Sequence, residues 1–130
     1  MIKNIRHTGI VVIDLTKSML FYTEKLGFEV SKRMNESGSF IDKILGINNL
    51  MVTTVKMELK NGQMIELLDY TTHKKKFSEM FINDIGPTHL AFTVANLDEI
   101  YTNFSNDGIE FISNPEVSPD GIVKVAFCKA

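Results

Sequence analysis

His7, His89 and Glu66 are the residues of this chain whose types and settings best suit chemistry, and an internal repeat links the two histidines. One copy reads His7-Thr8-Gly9-Ile10-Val11-Val12-Ile13-Asp14-Leu15. The other reads His89-Leu90-Ala91-Phe92-Thr93-Val94-Ala95-Asn96-Leu97, and each histidine stands eight positions before its leucine. A module that repeats its histidine suggests two ligands facing each other across a pseudo-twofold axis. Glu66 lies within Met64-Ile65-Glu66-Leu67-Leu68, where a buried carboxylate without compensation would be costly. A divalent cation is one compensation; an arginine, a protonated state or a sheet edge open to water are others. Two neutral imidazoles and a carboxylate suit zinc, nickel, cobalt, manganese or iron. A lone strand histidine is more often structural than ligating, but the duplication of His7 as His89 favours ligation. His73 sits beside Lys74-Lys75-Lys76 in what reads as a solvated loop. Asp42 and Glu58 have the type of an acid or base and no further support. Cys128 lacks a paired base for a nucleophilic role. No phosphate-cradling glycine loop, nucleophile elbow or zinc-finger cysteine pattern is present.

The elements that must position these residues follow from periodicity. Residues 5–13 are β-branched and short, predicting a strand. Asp14 caps the next helix, whose Leu15, Met19, Tyr22 and Leu26 share one face, and Gly27 ends it. A strand over 28–34 follows, then an irregular segment, 35–49, with a short helix at 41–45. Strands over 52–59 and 64–70 are joined by the Asn61-Gly62 turn. The first module, residues 1–70, is therefore β-α-β-β-β. Residues 71–86 read as a linker whose Phe77, Met80, Phe81 and Ile85 predict a short helix. The second module, 87–130, opens with a strand over 87–95. Asn96 then caps a helix with Leu97, Ile100, Tyr101 and Phe104 on its buried stripe, and strands over 109–113 and 122–127 follow. Val55-Lys56-Met57 aligns with Val123-Lys124-Val125 at an offset of 68. On that alignment the counterpart of Glu66 falls about four places beyond Ala130, so the last strand of the second module is missing from this sequence. Because side chains alternate along a strand, His7 shares a face with Ile5, Gly9 and Val11, and His89 with Ala91 and Thr93. Each histidine thus sits on the side with the smaller residues, as a cavity wall would require.

At 130 residues, 44% hydrophobic and with a formal net charge of -2, the chain suits one globular domain. The absence of a broad basic field argues against nucleic acid as a partner. Its apolar runs fall short of the roughly 20 residues needed to span a bilayer, and its first residues lack the apolar stretch of a secretion signal. With Cys128 as the single cysteine, no internal disulfide is possible, which fits a reducing compartment and a cytoplasmic address.

His7-Thr8-Gly9-Ile10-Val11-Val12 with Asp14-Leu15, Ser18, Phe21-Tyr22 and Leu26-Gly27-Phe28 resembles the opening of vicinal oxygen chelate proteins. Gly86-Pro87-Thr88-His89-Leu90-Ala91-Phe92-Thr93-Val94 and Met64-Ile65-Glu66-Leu67-Leu68 agree with it, so the resemblance covers nearly the whole chain. This superfamily includes glyoxalase I, methylmalonyl-CoA epimerase, extradiol dioxygenases and bleomycin- or fosfomycin-resistance proteins. The resemblance implies an α+β fold of two tandem β-α-β-β-β modules, with curled mixed sheets around a metal-containing cavity. It makes His7, Glu66 and His89 metal ligands, with nickel, zinc or cobalt the favoured ion. The glutamate that such enzymes carry on their last strand has no counterpart here. The implied chemistry is bidentate chelation of adjacent substrate oxygens, with an enediolate or enolate stabilised by the ion and Glu66 sharing the work of a base. The substrate would be a small molecule, a thiohemiacetal or an acyl thioester. The histidine-glutamate-histidine set matches glyoxalase I, while the long 35–49 segment is more epimerase-like; an extradiol dioxygenase is a weaker enzymatic alternative. A non-catalytic, drug-sequestering module of the same fold is the second reading. A homodimer is implied under both.

Overall fold

The β-branched run around Ile10 and Val11 forms the first strand (β1, Thr8–Val11) of the computed structural model, which describes residues 1–129. The chain divides into two units, Met1–Glu79 and Met80–Ala130. Among the described residues no helix is long and apolar enough to cross a membrane.

In the first unit, Asp14 ends β1's extension and starts α1 (Leu15–Leu20), its carboxylate accepting from the Lys17 amide at 2.9 Å. The helix widens into a π-helical turn over Phe21–Lys25, where the Thr23 hydroxyl donates back to the Met19 carbonyl at 2.9 Å. Gly27, at φ +74°, takes the left-handed conformation that turns the chain into β2 (Glu29–Ser37). A helix, α2 (Ser39–Leu45), precedes β3 (Met51–Glu58) and β4 (Met64–Tyr70). These strands form one curled mixed sheet in the order β1-β4-β3-β2, with β1 parallel to β4 and the other pairs antiparallel. One face carries Val55, Met57, Ile65 and Leu67, which pack with Leu15, Tyr22 and Phe28 into the main core. Tyr22 meets Phe28 edge to face, with centroids 5.8 Å apart. Each fully buried apolar side chain in this cluster contributes about 1.5–3 kcal/mol relative to exposure. On the other face, Ile41 of α2 closes with Leu50 and Val52 over Leu68 and Tyr70. The same face also carries Thr54, Lys56, Glu58 and Glu66.

In the second unit, Asn96 caps α3 (Leu97–Asn106) by accepting from the Glu99 amide at 3.2 Å. Phe104 is its buried anchor, and the Tyr101 ring lies 4.8 Å from Phe111. Two short strands, β5 (Glu116–Val117) and β6 (Lys124–Val125), pair antiparallel. Lys124 Nζ joins Asp98 Oδ1 at 2.6 Å, linking β6 to the first turn of α3.

The α+β class and the mixed sheet agree with the sequence reading; several local expectations do not. Residues 87–95 form no ladder strand. Their counterpart in the first unit, β1, pairs with β4, and among the described residues no strand pairs with 87–95 in that way. Of the strands expected over 109–113 and 122–127, only β6 and an isolated bridge from Phe111 to Cys128 form, and β6 pairs with β5, which lies between the two ranges. That bridge also corrects the repeat. Val30 pairs with Met57, whereas Phe111, at the same distance after its glycine, pairs with Cys128, so the offset is 71 (128 minus 57) rather than 68. The linker helix is absent as well. Phe77 and Ile85 are 73% and 105% exposed, and a short amphipathic run with nothing to pack against does not hold a helix. In the hairpin only Gly62 has positive φ (+83°), so the loop is a three-residue turn ending in a left-handed glycine, closed by the Leu59 amide donating to Gln63 O at 2.9 Å.

Candidate functional site

Parallel pairing sets Gly9 directly opposite Glu66, and His7, two residues before Gly9, projects from the same face. As a result His7 Nε2 lies 3.3 Å from Glu66 Oε2, with the histidine side chain 37% and the glutamate 14% exposed. A charge-assisted hydrogen bond is usually about 2.7–2.9 Å long. Two donors held on one cation by bonds of about 2.1 Å stand roughly 3.0–3.4 Å apart at octahedral or tetrahedral angles. The observed separation therefore fits shared coordination as well as it fits direct contact. Gly9 keeps this place open: a Cβ there would stand 3.3 Å from Leu68 Cδ1. Glu66 thus lies on the same face as the Leu68 and Tyr70 positions that α2 covers.

His89 belongs to the second unit. Its Nδ1 lies 3.1 Å from the Thr88 hydroxyl, and its ring stacks edge to face on Phe127 at 5.5 Å. In the tautomer that donates Nδ1–H to Thr88, Nε2 carries the free lone pair, the arrangement in which a ligating histidine is oriented by its second nitrogen. Among the described residues no group of three or more His, Cys, Asp or Glu side chains forms a ready metal site. His7 and Glu66 are the expected site residues that the first unit brings together.

The remaining candidates have other duties. Asp42 accepts from the Asn49 and Leu50 amides at 2.8 and 3.0 Å, fixing the turn into β3. Glu58 ends β3, opposite Glu29 and Met64. The His73 ring contacts the Thr72 hydroxyl at 3.0 Å in an exposed turn. Lys74, expected to be solvated, instead lies 2.9 Å from Asp69 Oδ1 and donates to the Ile13 carbonyl at 3.1 Å. That contact ties the segment after β4 to the end of the first strand. Desolvation pushes the Cys128 thiol up from its ordinary value, which leaves little thiolate for nucleophilic work. Lys56, directly opposite Glu66, is a neighbour that a search by residue type passes over. Counting back through the Asn61-Gly62 turn would have found it.

The chain belongs to the Glyoxalase/Bleomycin resistance protein/Dioxygenase superfamily, which it matches over residues 4–127. It is 30% identical over 112 residues to the uncharacterized protein YwkD of Bacillus subtilis (strain 168), covering 85% of this chain and 76% of that one. It is 25% identical over 122 residues to a 2-epi-5-epi-valiolone epimerase from Actinomyces sp, covering 90% of this chain and 66% of that enzyme. A glyoxalase family protein from Bacillus cereus has the same fold, with a TM-score of 0.89 at 21% identity over 98% of this chain and 87% of its own.

Proposed function

We propose that this chain is a divalent-metal-dependent isomerase or lyase that moves a proton at a carbon next to a carbonyl. The observation that carries the reading is the His7–Glu66 pair, 3.3 Å apart, with His7 one residue before β1 and Glu66 on β4 opposite Gly9. The duplicated His89 would supply a third ligand. The ion, nickel, zinc or cobalt by donor type, would act as a Lewis acid toward negative charge developing on substrate oxygens. Glu66 has a second task in this scheme. As a base, its carboxylate would accept the proton, and the apolar neighbours Ile65 and Leu67 hold its strand in register. An epimerase among the relatives supports the isomerase arm, and the family supports the lyase arm. The substrate is a small molecule, the assembly a homodimer, and the single cysteine fits a cytoplasmic address.

Elemental analysis of protein purified without chelator tests this. About one equivalent of a divalent transition metal per chain is expected. Substitutions His7→Ala, His89→Ala and Glu66→Gln should each remove most of it and abolish turnover in a folded protein. If no metal is retained after soaking in nickel, cobalt and zinc, the enzymatic reading fails and a non-catalytic binding module takes its place.

A further inference from the structure

Glu66 is one member of a charged row that crosses the whole sheet. Directly opposite it on β3 is Lys56, and directly opposite Lys56 on β2 is Lys32. Residues paired this way point to the same face, so Gly9, Glu66, Lys56 and Lys32 lie side by side, about 4.8 Å from strand to strand. The row depends on a defect in the sheet. Between Val30 and Lys32 the register slips, so Ser31 and Lys32 together oppose Lys56, and the Ser31 hydroxyl donates to the Lys56 carbonyl at 3.2 Å. Without that extra residue Lys32 would fall opposite Val55, on the face that packs against α1. The bulge thus turns Lys32 over and sets it beside Lys56.

Two lysines directly opposite each other on one sheet face repel, and the arrangement costs stability unless an anion lies between them. The nearby carboxylates do not supply one. Glu66 is engaged by His7 at 3.3 Å, and Glu36 accepts from the buried Thr54 hydroxyl at 2.8 Å. Glu58, next on the same face of β3, makes no ion pair, and neither does Lys32 or Lys56, among the described residues. Lys56 is nevertheless half-buried at the centre of the sheet.

We propose that Lys56 and Lys32 form a subsite for an anionic group, a phosphate or a carboxylate, on the substrate. Resting on the metal-dependent reading, this makes the substrate an anionic carbonyl compound. Its reacting oxygens lie toward His7 and Glu66, and its charged end lies one to two strands away, over the lysines. Lys56 binds and orients and takes no part in proton transfer.

Amide chemical shifts of the full chain, titrated with inorganic phosphate and separately with acetate at constant ionic strength, test the subsite. Saturable shifts at Lys32 and Lys56 are expected, and whichever anion binds more tightly names the charged group. Lys56→Gln should weaken that binding about tenfold, while Lys56→Arg should retain it. Absence of saturable shifts with both anions, or equal affinity in the wild type and Lys56→Gln, would overturn the proposal. Metal content, measured on the same samples, should be equal in wild type and Lys56→Gln. A wild type that binds anions in a Lys56-dependent way but holds no metal would overturn the metal reading and support the subsite.

Discussion

Gly9 is the smallest residue in the site and the one on which its geometry most depends. It faces Glu66 across the parallel pair, and even a Cβ there would press on Leu68 Cδ1 at 3.3 Å. Leu68 packs against the Ile41–Leu50–Val52 cluster, so it can yield only by disturbing α2's contact with the sheet. Gly9→Val should therefore cost about 1 kcal/mol or more, read as a lower melting temperature. Its larger effect should be on metal content, because the branched side chain enters the space beside the His7–Glu66 pair. A Gly9→Val protein with wild-type metal content and an unchanged melting point would show that this space is not used. The same residue-level logic explains why His7 was easier to recognise than Lys32. His7 carries its meaning in its type and its duplication, whereas Lys32 gains its position from a bulge, and nothing in Val30-Ser31-Lys32 marks an extra residue.

At the scale of elements, side-chain caps begin both α1 and α3. Asp14 accepts from the Lys17 amide and Asn96 from the Glu99 amide. Loss of such a cap usually costs about 1 kcal/mol. Asp14→Ala should show that loss in chemical denaturation, with greater solvent exchange at the Lys17 amide; equal stability would mean α1 is held by its Leu15–Tyr22 face alone. The first unit was legible in sequence because its signals are local. Asp14, Gly27 and the apolar stripe of α1 each act within a few residues, and 64–70 coincides with β4. The second unit was less so, for a reason that is not local. A strand is made by its neighbour, and the 87–95 segment has the composition of β1 without β4's equivalent among the described residues. In the candidate site, two of the three expected ligands could be placed by counting along strands. The lysine row required the pairing register between strands.

For the whole molecule, the edges of the sheet matter most. Among the described residues β1 is bonded on one side, to β4, and the chain around it exposes Ile5, Val11 and Ile13. An apolar edge strand with free backbone donors and acceptors is a template for another chain unless charge or a bulge blocks it. β2, at the opposite edge, is blunted in this way by Lys32, Arg33 and the bulge at Ser31, whereas Thr8-Gly9-Ile10-Val11 carries no charge. For the proposed homodimer, this difference makes β1 the edge to test. Association there would bring a second copy close to His7, so assembly and site would be linked. Sedimentation velocity on the order of 10 μM should then give a species of twice 14.7 kDa, dissociating on dilution. Val11→Lys places a charge on the exposed edge, outside the Leu15–Leu67 core, and should shift the protein to monomer with little change in far-ultraviolet circular dichroism. A wild type that is monomeric at every concentration would remove the homodimer. A Val11→Lys protein that remains dimeric would move the contact away from β1 and separate assembly from the His7–Glu66 pair.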